Sequence, residues 1–145
     1  MKTKDIYTDE LMMQNYVFKC IKGTKKTPSY FLTMYPFLQW VHSSSNGINR
    51  SRAKDRGIAV NSGMTSGVWD ILLPFCLTYI ELKVGKNKLE KEQISFQSFN
   101  EHLFLFKVFN NPHECVDFII IEALKYDKKN KELFKEKWGG KIPCD

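Results

Sequence analysis

Residues 67–85 read GVWDILLPFCLTYIELKVG. Two apolar runs, Val68 to Leu73 and Thr78 to Val84, are joined by the short connection PFCL, and both read as β-strands. Each carries ionisable residues where a core strand has none: Asp70 in the first, Glu81 and Lys83 in the second. Buried charges are costly unless paired or bound to a metal, so their placement calls for a chemical reason.

Side chains alternate faces along a strand, so Glu81 and Lys83 point the same way and Leu82 the other. Pairing Leu73 with Thr78 sets Asp70 opposite Glu81 and Val68 opposite Lys83, with facing Cβ atoms roughly 5 Å apart. Two carboxylates in that geometry repel unless a proton or a cation lies between them. A hard divalent cation, Mg²⁺ or Mn²⁺, suits carboxylate, carbonyl and water oxygens. Lys83 beside it is then placed to lower the pKa of a water held there, or to stabilise negative charge developing on an attacked phosphate. The alternative is a set of ordinary polar positions on a solvated sheet face. A lone ExK triplet is common, and the register rests on the assumed turn.

Outward from this hairpin, Thr8 or Asp9 caps a helix running to about Cys20, with Leu11, Met12, Tyr16 and Phe18 as much of its apolar surface. GTKKTP (23–28) reads as a turn, and Tyr30 to Val41 as a second buried helix interrupted near Pro36. Residues 42–67 are poor in large apolar side chains and rich in Ser, Asn, Gly and Arg, which predicts a long connection with one short helix near Arg50 to Arg56. After the hairpin, Leu89 to Leu103 reads as an amphipathic helix burying Ile94, Phe96, Phe99 and Leu103. Phe104 to Phe109 reads as a third strand. Pro112 opens a further helix, and VDFIIIEAL either continues it or hides a strand. From about Lys125 a lysine-rich tail follows, as a solvated helix or a loose end.

The chain has 145 residues, 43% of them hydrophobic and 14% aromatic, enough to bury a core as a single domain. Its formal net charge of +6 points to a polyanionic partner or to a merely basic surface. Cys20, Cys76, Cys115 and Cys144 form neither a zinc spacing nor an evident disulfide framework, so Cys76 and Cys115 read as small core residues in a reducing compartment. The polar N-terminus and the lack of a ~20-residue apolar run predict an intracellular, cytoplasmic protein without a membrane span. The absence of a Walker loop and of GxGxxG removes support for P-loop nucleotide hydrolysis and dinucleotide chemistry. His42, His102 and His113 do not cluster and read as structural or surface residues, with His42 the one placed to touch a substrate.

SGVWD on the first strand, YIELK on the second, and Gln93 after a Lys-rich turn (VGKNKLEKEQISF) together resemble the VRR-NUC domain, a branch of the PD-(D/E)xK nuclease superfamily. The resemblance covers about Gly63 to Phe109, and Glu10 and Gln14 look like that family's early glutamate and the glutamine after it. It implies an α/β fold with a small mixed central sheet flanked by helices, like that of restriction endonucleases. Asp70 and Glu81 would be metal-binding carboxylates and Lys83 the catalytic lysine. Glu10 would complete the metal site, and Gln93 would help order it. The family usually has proline before the aspartate where this chain has Trp69, which implies altered packing rather than altered chemistry. The implied activity is Mg²⁺- or Mn²⁺-dependent hydrolysis of DNA phosphodiester bonds by a homodimer acting on branched or structured DNA. A Holliday-junction resolvase is the narrower expectation.

Arg50, Arg52, Lys54 and Arg56 alternate just before the hairpin, while Lys86, Lys88 and Lys91 follow the ELK strand. Both groups either contact phosphates or form solvated basic surface. Two alternatives stay open: a nuclease acting on flapped, nicked or duplex DNA, and a DNA-binding module that has kept the fold without turnover.

Overall fold

The computed structural model describes residues 9–44 and 67–138. It is a mixed α/β structure built on one four-stranded sheet. Helix α1 (Glu10–Lys22) is capped by Asp9, whose carboxylate accepts the Met12 N–H at 2.7 Å. Helix α2 (Tyr30–Met34) stops before Pro36, and a 3₁₀ helix, Pro36–Trp40, follows. Strands β1 (His42–Ser43), β2 (Ile71–Leu73) and β3 (Thr78–Leu82) pair antiparallel, and β4 (Leu105–Phe109) lies parallel to β3. The spatial order is β1-β2-β3-β4. A parallel neighbour needs a crossover, and α3 (Lys91–Asn100) lies within it. Helix α4 (Pro112–Trp138) closes the described chain.

Ile80 and Tyr79 are consecutive on β3 and so face opposite sides. On the Ile80 side, Val17 and Ile21 of α1, Leu38, Val41, Ile71, Leu73, Leu82, and Ile119 of α4 are all fully buried in one apolar cluster. On the Tyr79 side, Phe96 of α3 packs edge-on to Tyr79 at 5.1 Å, and Phe106 stacks on Tyr79 at 5.7 Å. Trp69 lies edge-on to Phe106 at 4.8 Å and is buried.

The hairpin register is the expected one: Leu73 faces Thr78, Leu72 faces Tyr79 and Ile71 faces Ile80. The PFCL connection is a 3₁₀ turn, Pro74–Cys76, closed by Leu77 at φ 48°, in the left-handed region. Both strands are shorter than the sequence suggests, because Asp70 lies in a bend before β2 and Lys83 just past β3.

Two helices turn a different face inward from the one expected. In α1 the buried residues are Met13, Gln14, Val17 and Ile21, while Leu11 and Met12 are exposed. The inward stripe thus runs through Gln14, and Glu10 lies one turn before it. In α3 the less exposed positions are Gln93, Phe96, Gln97 and Asn100, at i, i+3, i+4 and i+7, leaving Ile94 and Phe99 in solvent, and Leu103, past the helix end, is exposed as well. The run VDFIIIEAL is helical, and the lysine-rich segment after it continues α4 to Trp138, with Lys125, Lys128, Lys129, Lys131 and Lys135 exposed. Cys115 is buried as expected, but Cys76 is only partly buried. Among the described residues no helix is long and apolar enough to cross a membrane.

Candidate active site

The hairpin brings its three ionisable residues together at the C-terminal end of β3. Glu81 is 1% exposed and Lys83 5% exposed, so both charges are withdrawn from water. The Lys83 ammonium stands 3.2 Å from Glu81 Oε1, the same-face placement that their two-residue spacing dictates. Across the hairpin, the Asp70 N–H donates to Glu81 Oε2 at 3.1 Å, and Asp70 Oδ2 accepts the Leu82 N–H at 3.0 Å. These reciprocal bonds lock the two carboxylates side by side. Glu10, at the half-exposed rim, reaches the Lys83 ammonium from α1 at 4.0 Å.

Gln93 closes the site from α3. Its side-chain oxygen accepts the Glu90 N–H at 2.9 Å, which completes a capping box at the helix start. That bond aims the amide nitrogen at Glu81 Oε1, to which it donates. The Trp69 indole N–H donates to the Gln93 carbonyl at 3.0 Å, tying the hairpin to the first turn of α3. Gly67 permits this approach: at φ 85°, a Cβ there would lie 2.6 Å from the Glu92 carbonyl oxygen. Replacing Gln93 with Ala leaves the buried Glu81 oxygen one donor short, at a cost of about 1–3 kcal/mol of stability. Urea unfolding of Gln93→Ala beside wild type measures that loss.

The electrostatics follow from burial. Loss of hydration pushes the Glu81 carboxyl up to about 7, the Asp70 charge adds to the rise, and the Lys83 ammonium opposes it. Asp70 is also raised, first by burial; the Leu82 N–H opposes this and the Glu10 charge adds to it. Three carboxylates against one ammonium leave two negative charges when all are ionised, which matches one divalent cation. Among the described residues no three His, Cys, Asp or Glu side chains gather as a ready-made cage. Mg²⁺ does not require one, because it binds through one or two carboxylates, keeps several waters and takes substrate phosphate oxygens. Asp70 and Glu81 fit that pattern, while Glu10 approaches from the rim, 4.0 Å from the Lys83 ammonium.

Of the remaining expected residues, Lys86 and Lys88 are exposed on the connection leading into α3, and Lys91 is exposed at its first position. Arg50, Arg52, Lys54 and Arg56 lie outside the described residues. His42, His102 and His113 are exposed, and His113 Nδ1 hydrogen-bonds the Tyr16 hydroxyl at 2.9 Å.

Sequence reasoning missed the brace behind Asp70. The Ser44 N–H donates to the Asp70 carbonyl at 3.0 Å, and the Ser44 hydroxyl donates to the Trp69 carbonyl at 2.8 Å. The buried Gln14 amide donates to the Ser43 hydroxyl at 2.7 Å, fastening α1 to the same strand. No local pattern marks these serines, because their partners lie 25 to 29 residues away in sequence.

Comparison of the chain with protein-family models, with curated proteins and with solved structures returns no match.

Proposed function

We propose that this protein is a metal-dependent nuclease of the VRR-NUC type, hydrolysing DNA phosphodiester bonds. The observation that carries the reading is the convergence of Asp70, Glu81, Lys83, Gln93 and Glu10, from three separate elements, on one mostly buried site. A purely structural role explains this arrangement poorly. A lone buried Glu–Lys pair often adds little stability over an apolar pair, and here two further carboxylates press on it.

Asp70 and Glu81 would hold Mg²⁺ or Mn²⁺, which when bound activates water and offsets charge on the phosphate. The Leu82 N–H orients Asp70, and Gln93 orients Glu81, so both carboxylates are set before substrate arrives. The Lys83 ammonium lies against the same carboxylate and stabilises negative charge developing on the attacked phosphate. Exposed Lys86 and Lys88, with Arg50, Arg52, Lys54 and Arg56, supply phosphate contacts of low sequence dependence. A homodimer presenting two equivalent sites suits a symmetric four-way junction, the substrate of a resolvase.

The test is cleavage of labelled four-way junction, flap, single-stranded and duplex DNA with Mg²⁺, Mn²⁺ or EDTA. Metal-dependent cutting is expected, strongest on branched DNA. Tight binding with no cutting of any substrate would move the protein to the class of binding modules.

A further inference from the structure

The 3₁₀ helix ends in Trp40, whose side chain is left in solvent with 66% of the residue exposed. This exposure is built in rather than loose. Leu38 and Val41 on either side are both 0% exposed and anchor the segment in the core, so the backbone holds the indole outward. The surroundings are polar and cationic. The Lys22 ammonium is fixed to the Gln39 carbonyl at 2.9 Å, and His42 Nδ1 lies 3.0 Å from the Trp40 carbonyl. Gln39 and His42 are themselves exposed. An outward-held indole on a segment whose backbone carbonyls carry a lysine ammonium and an imidazole is a poor seat for an apolar protein segment. It has the components of a stacking platform, a π-face for a base with a lysine ammonium on the same segment for a phosphate.

Its position relative to the carboxylates follows from connectivity. Trp40 runs through Val41 into β1, where Ser43 faces Ile71 and the Ser44 N–H is bonded to the Asp70 carbonyl. Four residues of chain span at most about 14 Å. With the hydrogen bond from Ser44 to Asp70 added, the Trp40 backbone lies within roughly 20 Å of Asp70, about six base steps at 3.4 Å per step of a stacked strand.

We propose that Trp40, with Lys22 and His42 beside it, seats an unpaired base of the DNA strand that enters the carboxylate site. The protein then selects, among branched substrates, those with a single-stranded segment next to the cleaved phosphate, which narrows the branched-DNA expectation to flap-like structures over a fully paired four-way junction. Bases inside a duplex are already stacked on both faces and cannot take the seat, whereas every unpaired base offers a π-face whatever its identity. This proposal rests on the nuclease reading of the Asp70 site and adds to it the kind of strand that the site accepts.

The experiment measures binding of single-stranded DNA carrying one 2-aminopurine, and of blunt duplex DNA, to wild type, Trp40→Ala and Trp40→Phe. It is run in EDTA, with metal-dependent cleavage by wild type followed in parallel. Wild type is expected to quench the 2-aminopurine. Trp40→Ala should weaken single-strand affinity at least about fivefold, with duplex affinity unchanged and Trp40→Phe retaining most of the binding. An exposed side chain is not required for folding, and thermal unfolding of both variants checks this. Equal single-strand affinity of Trp40→Ala and wild type overturns the proposal, as does a fall in oligomeric mass on losing Trp40, which would assign the indole to a subunit contact. If either occurs while wild type still cleaves with metal, the stacking seat fails and the nuclease reading stands. If wild type neither binds nor cleaves any DNA, both fail.

Discussion

Replacing Lys83 with Ala is expected to lower DNA cleavage by at least about a hundredfold, the scale of losing one preorganised group that stabilises transition-state charge. The sequence alone suggests that folding would be left largely intact, but the structure predicts otherwise. Lys83 is the buried counter-ion of Glu81, and removing one partner of a buried pair costs about 3–5 kcal/mol, because the other charge is left behind. Glu81 can escape that penalty by taking a proton. The loss of stability in Lys83→Ala should therefore be large at pH 8 and shrink towards pH 4.5, where folded Glu81 holds its proton and no longer needs a counter-ion. Urea unfolding at the two pH values, beside single-turnover cleavage assays, separates the roles. Unchanged cleavage would remove Lys83 from the chemistry. A pH-independent stability loss would show that Glu81 is not the group left uncompensated.

Asp70→Asn is expected to push activity and metal-free stability in opposite directions. The amide keeps an oxygen for the Leu82 N–H and removes a negative charge from beside Glu81. In the metal-free wild type the unfolded chain's glutamate ionises near 4.5, while Glu81 holds its proton up to about 7. The folded state thus binds more protons in that window, and stability falls as pH rises through it. Asp70→Asn lessens the repulsion and should stabilise the metal-free protein at pH 8 by roughly 1 kcal/mol, or about 3 °C in Tm. Mg²⁺ or Mn²⁺ at about a hundred times its dissociation constant should stabilise wild type by about 2.7 kcal/mol and Asp70→Asn by far less. Thermal melts with and without metal at pH 5.5 and pH 8 test this. Equal metal shifts in the two proteins would show that Asp70 is no ligand.

The site was legible in sequence where its logic is local. The two-residue spacing of Glu81 and Lys83 sets both side chains on one face whatever the rest of the chain does. The four-residue connection between Leu73 and Thr78 set the register that puts Asp70 beside Glu81, and the structure has that register. Gln93 was singled out only through the family resemblance, and the structure adds the capping box with Glu90 that turns its side chain back towards the hairpin. The inward face of α3 was misread. Apolar spacing selects Ile94, Phe96, Phe99 and Leu103, but with Gln93 donating to Glu81 only Phe96 turns inward, Ile94 and Phe99 are left in solvent, and Leu103 lies exposed past the end of α3.

By itself, then, the amino-acid sequence determined the hairpin, its register, the face shared by Glu81 and Lys83, and the cap of α1, all through contacts between residues close in the chain. Tertiary structure alone decided how far the charges are buried, that Glu10 of α1 meets the Lys83 ammonium, and that Ser43 and Ser44 brace Gln14, Trp69 and Asp70 from a distant strand. Those outcomes depend on how whole helices rotate against the sheet. That rotation is set by the sum of many packing contacts rather than by any periodicity within one segment.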